Sequence, residues 1–156
     1  MMFTKSTFVS LSLFCVALPV FAQQNASALP TISDVWVKAT IPGGSVSGAY
    51  MQIKSAATVK LIKVESPAAG LIELHESKMT NGVMEMNAVD GVDIAAGKSV
   101  TLKPGGMHVM MMKIAKPIVV GDKVPLTMTF IGADKKSFQI KVNAVAKEND
   151  GGARHN

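Results

Sequence analysis

The stretch Ser77-Lys78-Met79-Thr80-Asn81-Gly82-Val83-Met84-Glu85-Met86 decides the fold. An Asn-Gly pair between two strand-like runs favours a two-residue type I′ turn, in which both central residues take a positive φ. The sequence therefore predicts a β-hairpin with strands over residues 71–79 and 83–89. In that register Ser77 is expected opposite Met86 and His75 opposite Ala88, and a slip of one residue would move every side chain to the other face.

Short runs rich in Val, Ile and Thr continue on both sides of this hairpin, separated by Gly, Pro, Asn and Asp. This pattern is typical of an all-β domain, and no segment shows the sustained period of about 3.6 residues that would indicate a helix. The further predicted strands span residues 32–39, 48–54, 58–66, 99–102, 108–114, 123–130 and 137–145. Strands of this number and length favour a β-sandwich of immunoglobulin-like or cupredoxin-like kind.

Residues 1–22 have the features of a signal peptide. Lys5 precedes an apolar run over residues 8–20, and Val20-Phe21-Ala22 supplies small side chains at the positions that signal peptidase recognises. The run is too short to span a bilayer comfortably, and no second stretch of spanning length follows. We therefore expect a soluble, exported protein without stable membrane insertion. Its expected parts are a flexible lead-in over 23–30, a β-sandwich domain over 31–147 and a disordered tail over 148–156.

The single cysteine, Cys15, lies inside the apolar run of the signal peptide. Phe14, directly before it, argues against lipoprotein processing, so Cys15 is expected to leave with the signal peptide. The remaining chain would then offer no thiolate for a disulfide, a blue-copper centre or a nucleophile. No Ser-His-Asp arrangement or carboxylate pair is recognisable either, so the sequence predicts a protein that is not an enzyme.

The charge of the chain is mildly positive, at +5, and aromatic residues make up 5% of it. The lysines are dispersed, with only Lys135 and Lys136 adjacent. A nucleic-acid surface would need a basic stripe with stacking side chains, so we expect no nucleic-acid partner.

Histidines and methionines are concentrated in the middle of the chain at strand-compatible spacing: His75, Met79, Met84, Met86, His108, Met110 and Met112. Side chains alternate along a strand, so His108 and Met110 point the same way, about 7 Å apart at the backbone. In the predicted hairpin register, His75 and Met86 are diagonal neighbours on one face. Thioether sulfur is a soft, uncharged ligand and imidazole suits copper, so this mixed set indicates a Cu(I) site.

A metal-free hypothesis stands beside this one. Met51 and Met128 lie in separate apolar strands and are expected to fill the core, because methionine is an adaptable core residue. His155 is expected to be an exposed residue of the tail. If the other methionines also fill the core, the chain is a β-sandwich binding module without metal.

The spacing of four of these residues resembles a known signature. The pattern of His75, ten residues, Met86, twenty-one residues, His108, one residue and Met110 is similar to that of the periplasmic PCu(A)C copper chaperones. The similarity extends over nearly the whole domain, including the strand at 32–39 and the Gly-Ala-Tyr strand at 48–50. In this family methionine often follows the first histidine, and here Glu76 follows it.

The resemblance implies a cupredoxin-like sandwich that binds Cu(I) through His75, Met86, His108 and Met110, near the surface. Met79, Met84 or Met112 are candidate auxiliary ligands. The resemblance also implies a periplasmic metallochaperone that delivers copper for cytochrome c oxidase assembly, to an oxidase subunit or to a thiol-bearing assembly factor. We expect the protein to be a monomer. The alternative function with the same copper chemistry is that of a resistance protein that sequesters copper.

Overall fold

The computed structural model describes residues 29–148, which form ten β-strands and no helix. The strands are β1 (Thr31–Lys38), β2 (Ser47–Lys54), β3 (Val59–Glu65), β4 (Leu71–Thr80), β5 (Val83–Ala88), β6 (Val92–Ile94), β7 (Ser99–Leu102), β8 (Met107–Met112), β9 (Lys123–Gly132) and β10 (Ser137–Lys147). This part of the chain accordingly has no helix that could cross a membrane. The predicted signal peptide over 1–22, most of the lead-in and nearly all of the tail lie outside the described residues.

All the predicted strands are confirmed within two residues at each end, and one strand was missed. The missed strand is β6, which pairs with β3 and carries the buried side chains Val92 and Ile94. Three residues are too few to establish an alternating pattern, so this strand could not be recognised from the sequence. Its pairing with β3 is a consequence of tertiary packing.

The strands form one mixed sheet in the order β5-β4-β8-β2-β1-β10-β9-β3-β6, with β7 paired to the second half of β2. Only β1 and β10 are parallel. Although β3 and β4 lie near opposite ends of this order, Val64 and Leu74 belong to the same apolar core. The sheet therefore folds over onto itself around one core, and the predicted all-β sandwich is confirmed.

The β4–β5 hairpin has the register that Asn81 and Gly82 predict. Their φ angles are 52° and 80°, as a type I′ turn requires. Ser77 lies opposite Met86 and His75 opposite Ala88. All six residues of β5 are exposed, so β5 is an open edge of the sheet.

Strand β8 lies between β4 and β2, and its side chains alternate between the core and the opposite face of the sheet. Val109 and Met111 are fully buried in the core. His108, Met110 and Met112 alternate with them and lie on the other face. The expectation that Met51 and Met128 fill the core is also confirmed, because both are almost entirely buried in it. Some methionines therefore fill the core, whereas others lie outside it with their sulfur atoms available as metal ligands.

Candidate metal centre

The two mid-chain histidines face each other across the β4–β8 ladder. His75 is the direct cross-strand partner of His108, and their ring centroids lie 5.8 Å apart. Because β4 and β8 are antiparallel neighbours, residues far apart in the sequence become adjacent on one face of the sheet. The predicted association of these two residues is therefore present in the fold.

Met86 and Met110 flank this histidine pair on opposite sides. Met86 lies opposite Ser77, and Met110 lies opposite Glu73. Each methionine is thus one diagonal step from His75, a distance that long side chains can bridge. Met86, His108 and Met110 all line one cavity of about 280 Å³. The structure therefore brings the four residues of the sequence signature together.

The three auxiliary candidates are not gathered at this cavity. Met79 and Met84 lie opposite each other near the tip of the hairpin, and Met112 lies opposite Leu71 at the far end of the ladder. Met79 and Met112 are each four residues along their strand from a histidine, which is about 13 Å at the backbone. The cavity is lined by none of the three.

Hydrogen bonds assign a tautomer to each histidine. The Nδ1 of His108 lies 2.9 Å from the carbonyl oxygen of Gly106. A carbonyl can only accept, so Nδ1 carries the proton and Nε2 keeps its lone pair. His75 has the reverse arrangement, because its Nε2 lies 2.8 Å from Glu73 Oε2 and donates to that carboxylate. Its Nδ1 is buried without a hydrogen-bond partner among the described residues.

Two adjacent imidazoles that each keep one ring nitrogen unprotonated are expected of a metal-binding pair. A buried polar atom normally has a partner, and leaving one without costs about 1–3 kcal/mol. Metal-binding histidines commonly donate their other ring N–H to a carboxylate or a backbone carbonyl, which fixes the ring. Glu73 and Gly106 make those two contacts here. The histidine pair therefore fits a metal ion.

The centre is closed on one side and open on the other. His108 is only 5% exposed, whereas Met86 is 54% exposed. Met86 therefore lies at the surface, whereas His108 is buried beside Tyr50 and against β4 at the inner end of the same cavity. An incoming group would therefore reach the Met86 side of the cavity first.

A row of rings extends from the histidines across the sheet. The ring of Tyr50 lies 6.5 Å from that of His108 and 4.4 Å from that of Trp36, between centroids. Gly48 makes room for the Tyr50 hydroxyl, since a Cβ at Gly48 would overlap it. Burial raises the pKa of Tyr50 above its ordinary value, so the phenol stays neutral.

Sequence reasoning missed the residues that support the histidines. Glu73 stands two positions before His75, on the same face of β4, and that spacing was a usable signal. The contact between Tyr50 and His108 depends on the pairing of β2 with β8, for which no local pattern exists.

The donors themselves are two imidazoles and two thioethers, a neutral set that suits a soft monovalent ion such as Cu(I).

The fold is that of PCuAC domains. The copper-bound PCuAC domain from PmoF2 superposes with a TM-score of 0.64 at 23% identity, covering 79% of this chain and 96% of that domain. The Cu(I) form of DR1885 from Deinococcus radiodurans gives a TM-score of 0.54 at 27% identity, covering 83% of this chain and 87% of that protein.

The sequence comparisons place the chain in a family. The family described as "Putative lipoprotein LpqE-like" matches residues 30–142. A protein of Leifsonia xyli subsp. xyli, "Putative lipoprotein Lxx21020", is 30% identical over 140 residues, covering 86% of this chain and 83% of that protein. The chain belongs to the LpqE-like family, and its resemblance to the PCu(A)C proteins is confirmed.

Proposed function

We propose that this protein is a Cu(I) carrier that holds one copper ion between His75, Met86, His108 and Met110. The observation that carries the proposal is the free lone pair on each of two opposed imidazoles, at Nδ1 of His75 and Nε2 of His108. The relatives support it, since a PCuAC domain and DR1885 are both known in copper-bound form.

The donor set suits a carrier better than a permanent store. Two thioethers and two neutral imidazoles bind Cu(I) without adding charge, and no thiolate is among them. Met86 is the exposed member of the set, so it is the ligand that a recipient would displace first. His108 is held by Gly106 and would release the ion last. Transfer then proceeds by stepwise ligand exchange, with copper remaining monovalent throughout.

The proposed site of action is the periplasm, and the proposed recipient is the assembly pathway of cytochrome c oxidase. The signal-peptide features of residues 1–22 and the lipoprotein names of relatives support export. The PCu(A)C resemblance supports delivery to an oxidase subunit or to a thiol-bearing assembly factor. We propose no catalytic step: the protein binds, protects and hands over the ion.

The test is an anaerobic Cu(I) titration of the purified protein against a chromophoric chelator. We expect one tightly bound ion in the wild type and its loss in the His75→Ala/His108→Ala variant. His155→Ala is the matched control, since it removes the third histidine and should leave binding unchanged. Absence of competition by the wild type, or equal binding by the double variant, would refute the proposed centre.

Delivery is tested separately by mixing the copper-loaded protein with a purified copper-accepting domain of the oxidase or with a thiol-bearing assembly factor. Net movement of Cu(I) to either recipient supports a chaperone. Retention of copper in the presence of both would favour sequestration and refute delivery, while leaving the binding site intact.

A further inference from the structure

The outer half of the β4–β5 hairpin projects beyond the rest of the sheet. Among the described residues, the last backbone hydrogen bond from β4 toward the β8 side runs from Ser77 N to Gly106 O, at 3.1 Å. From Lys78 to the turn, β4 pairs only with β5. This two-stranded arm, residues 78–85, therefore has two open faces.

The two faces of the arm differ in chemistry. One face is polar: Lys78 is paired with Glu76 at 2.8 Å, and Thr80 donates to Glu85 at 3.3 Å. The other face carries Met79 and Met84, which are 66% and 49% exposed. Packing does not account for these two methionines, because neither belongs to the core or to the residues packed against it.

The register brings three thioethers together on this face. Met79 is the direct cross-strand partner of Met84, so their Cβ atoms are about 5 Å apart. Met86 follows Met84 by two residues on the same strand and is diagonal to Met79. Three long, flexible side chains at this spacing can direct their sulfur atoms at one ion, and sulfur-only coordination selects Cu(I) among the common biological metals.

We propose that Met79, Met84 and Met86 form a loading site that captures Cu(I) first and passes it inward. The inference rests on the proposed function, because Met86 is shared between the loading site and the histidine centre. As the ion moves, Met79 and Met84 leave its coordination sphere, His75, His108 and Met110 enter, and Met86 stays bound. No electron is transferred, and each departing thioether is replaced by an imidazole nitrogen.

The direction of transfer follows from the difference between the two sets of donors. The loading site is exposed and has thioethers only, and Met79 and Met84 lie on an arm whose two strands pair only with each other among the described residues. The inner centre adds two imidazoles whose rings are held by Glu73 and Gly106. Preorganised ligands lose less conformational freedom on binding, so the inner centre is the tighter of the two. The loading site therefore governs how fast copper arrives and has little effect on how tightly it is finally held.

The kinetic test compares wild type with Met79→Leu/Met84→Leu, in which volume is kept and sulfur is removed. Copper is supplied as the Cu(I)–bicinchoninate complex, and its loss of colour is followed by stopped flow. We expect the variant to load copper about tenfold more slowly or slower still, because capture near the centre raises the effective concentration of copper there in the wild type. The equilibrium affinity for Cu(I) should change by less than about twofold. Met112→Leu is the control, since it removes a methionine on the same face outside both sites.

A second measurement detects the loading site directly. In the His75→Ala/His108→Ala variant, Ag(I), a soft ion that does not change oxidation state, is added while the methionine methyl resonances are recorded by NMR. We expect the methyl resonances of Met79, Met84 and Met86 to shift and that of Met112 to stay in place.

The outcomes separate the loading site from the proposed function. Tight Cu(I) binding by wild type with unchanged loading in Met79→Leu/Met84→Leu would overturn the loading site and leave the copper centre standing. Unshifted Met79 and Met84 resonances would overturn it equally. Failure of the wild type to take up Cu(I) at all would overturn both.

Discussion

His75 and His108 are direct cross-strand partners, with ring centroids 5.8 Å apart, although 33 positions separate them in the chain. They meet only when β4 has paired with β8. Met86 comes from a third strand, β5. The candidate centre is thus a product of the tertiary fold, and the unfolded chain does not hold its donors together.

Cu(I) is therefore expected to stabilise the folded protein. At free Cu(I) one hundred times the dissociation constant, binding to the native state alone adds about 2.7 kcal/mol to the free energy of unfolding. Thermal unfolding with and without buffered Cu(I), under anaerobic conditions, measures this gain. The His75→Ala/His108→Ala variant, compared with its own metal-free form, should show none. An equal gain in that variant would locate binding elsewhere.

Met110 and His108 are expected to differ in what they contribute to folding. Met110→Leu keeps the volume and should change the free energy of unfolding by less than about 1.5 kcal/mol while weakening Cu(I) binding. His108→Ala should weaken binding too, but it also removes a buried hydrogen bond to Gly106 and should cost about 1–3 kcal/mol. Chemical denaturation and chelator competition on both variants check this. Equal stability losses would contradict it.

Glu73 is expected to act through His75 without touching the metal. Its carboxylate accepts from His75 Nε2 and so leaves Nδ1 unprotonated. Glu73→Leu should lower Cu(I) affinity by about 10–100-fold and shift the imidazole nitrogen resonances of His75. Glu76→Leu is the control, because Glu76 lies on the other face of β4 and pairs with Lys78. A similar affinity loss in both variants would indicate a general charge effect.

The local part of this structure was predictable from sequence, because a turn determines a register. The turn predicted at Asn81-Gly82 led to the correct cross-strand pairs, from Thr80–Val83 to His75–Ala88. Alternation in β8 correctly separated Val109 and Met111 from His108 and Met110. Both deductions use only side-chain periodicity over a few residues.

The pairing of distant strands was not predictable in the same way. The adjacency of His75 and His108, and that of Tyr50 and His108, depends on β4 and β2 flanking β8. No residue pattern within one strand specifies its neighbours. The burial of His108 follows from this pairing, whereas Met86, on the edge strand β5, stays exposed.

Ser77 presents a polar atom without a partner. Its Oγ is buried with no hydrogen bond among the described residues, between His75 and the arm. Removing an unsatisfied buried hydroxyl should be neutral or stabilising, so Ser77→Ala is expected to unfold at the same temperature or higher. Calorimetry on the metal-free protein measures it. A clear destabilisation would mean that the hydroxyl has a partner in solution, such as a bound water.

Tyr50 is expected to make stability fall at alkaline pH. Burial raises the pKa of the folded-state phenol above its ordinary value of 10.0. Above about pH 10 the unfolded chain loses this proton while the folded protein retains it, so the unfolded state binds fewer protons and the free energy of unfolding falls with rising pH. The contribution is complete below pH 10 and is lost as the pH rises through the folded-state pKa. Chemical denaturation between pH 8 and pH 11 should therefore show the free energy of unfolding falling more steeply in wild type than in Tyr50→Phe, which lacks only the phenol hydroxyl. Parallel curves would show that the phenol ionises equally in the folded and unfolded states.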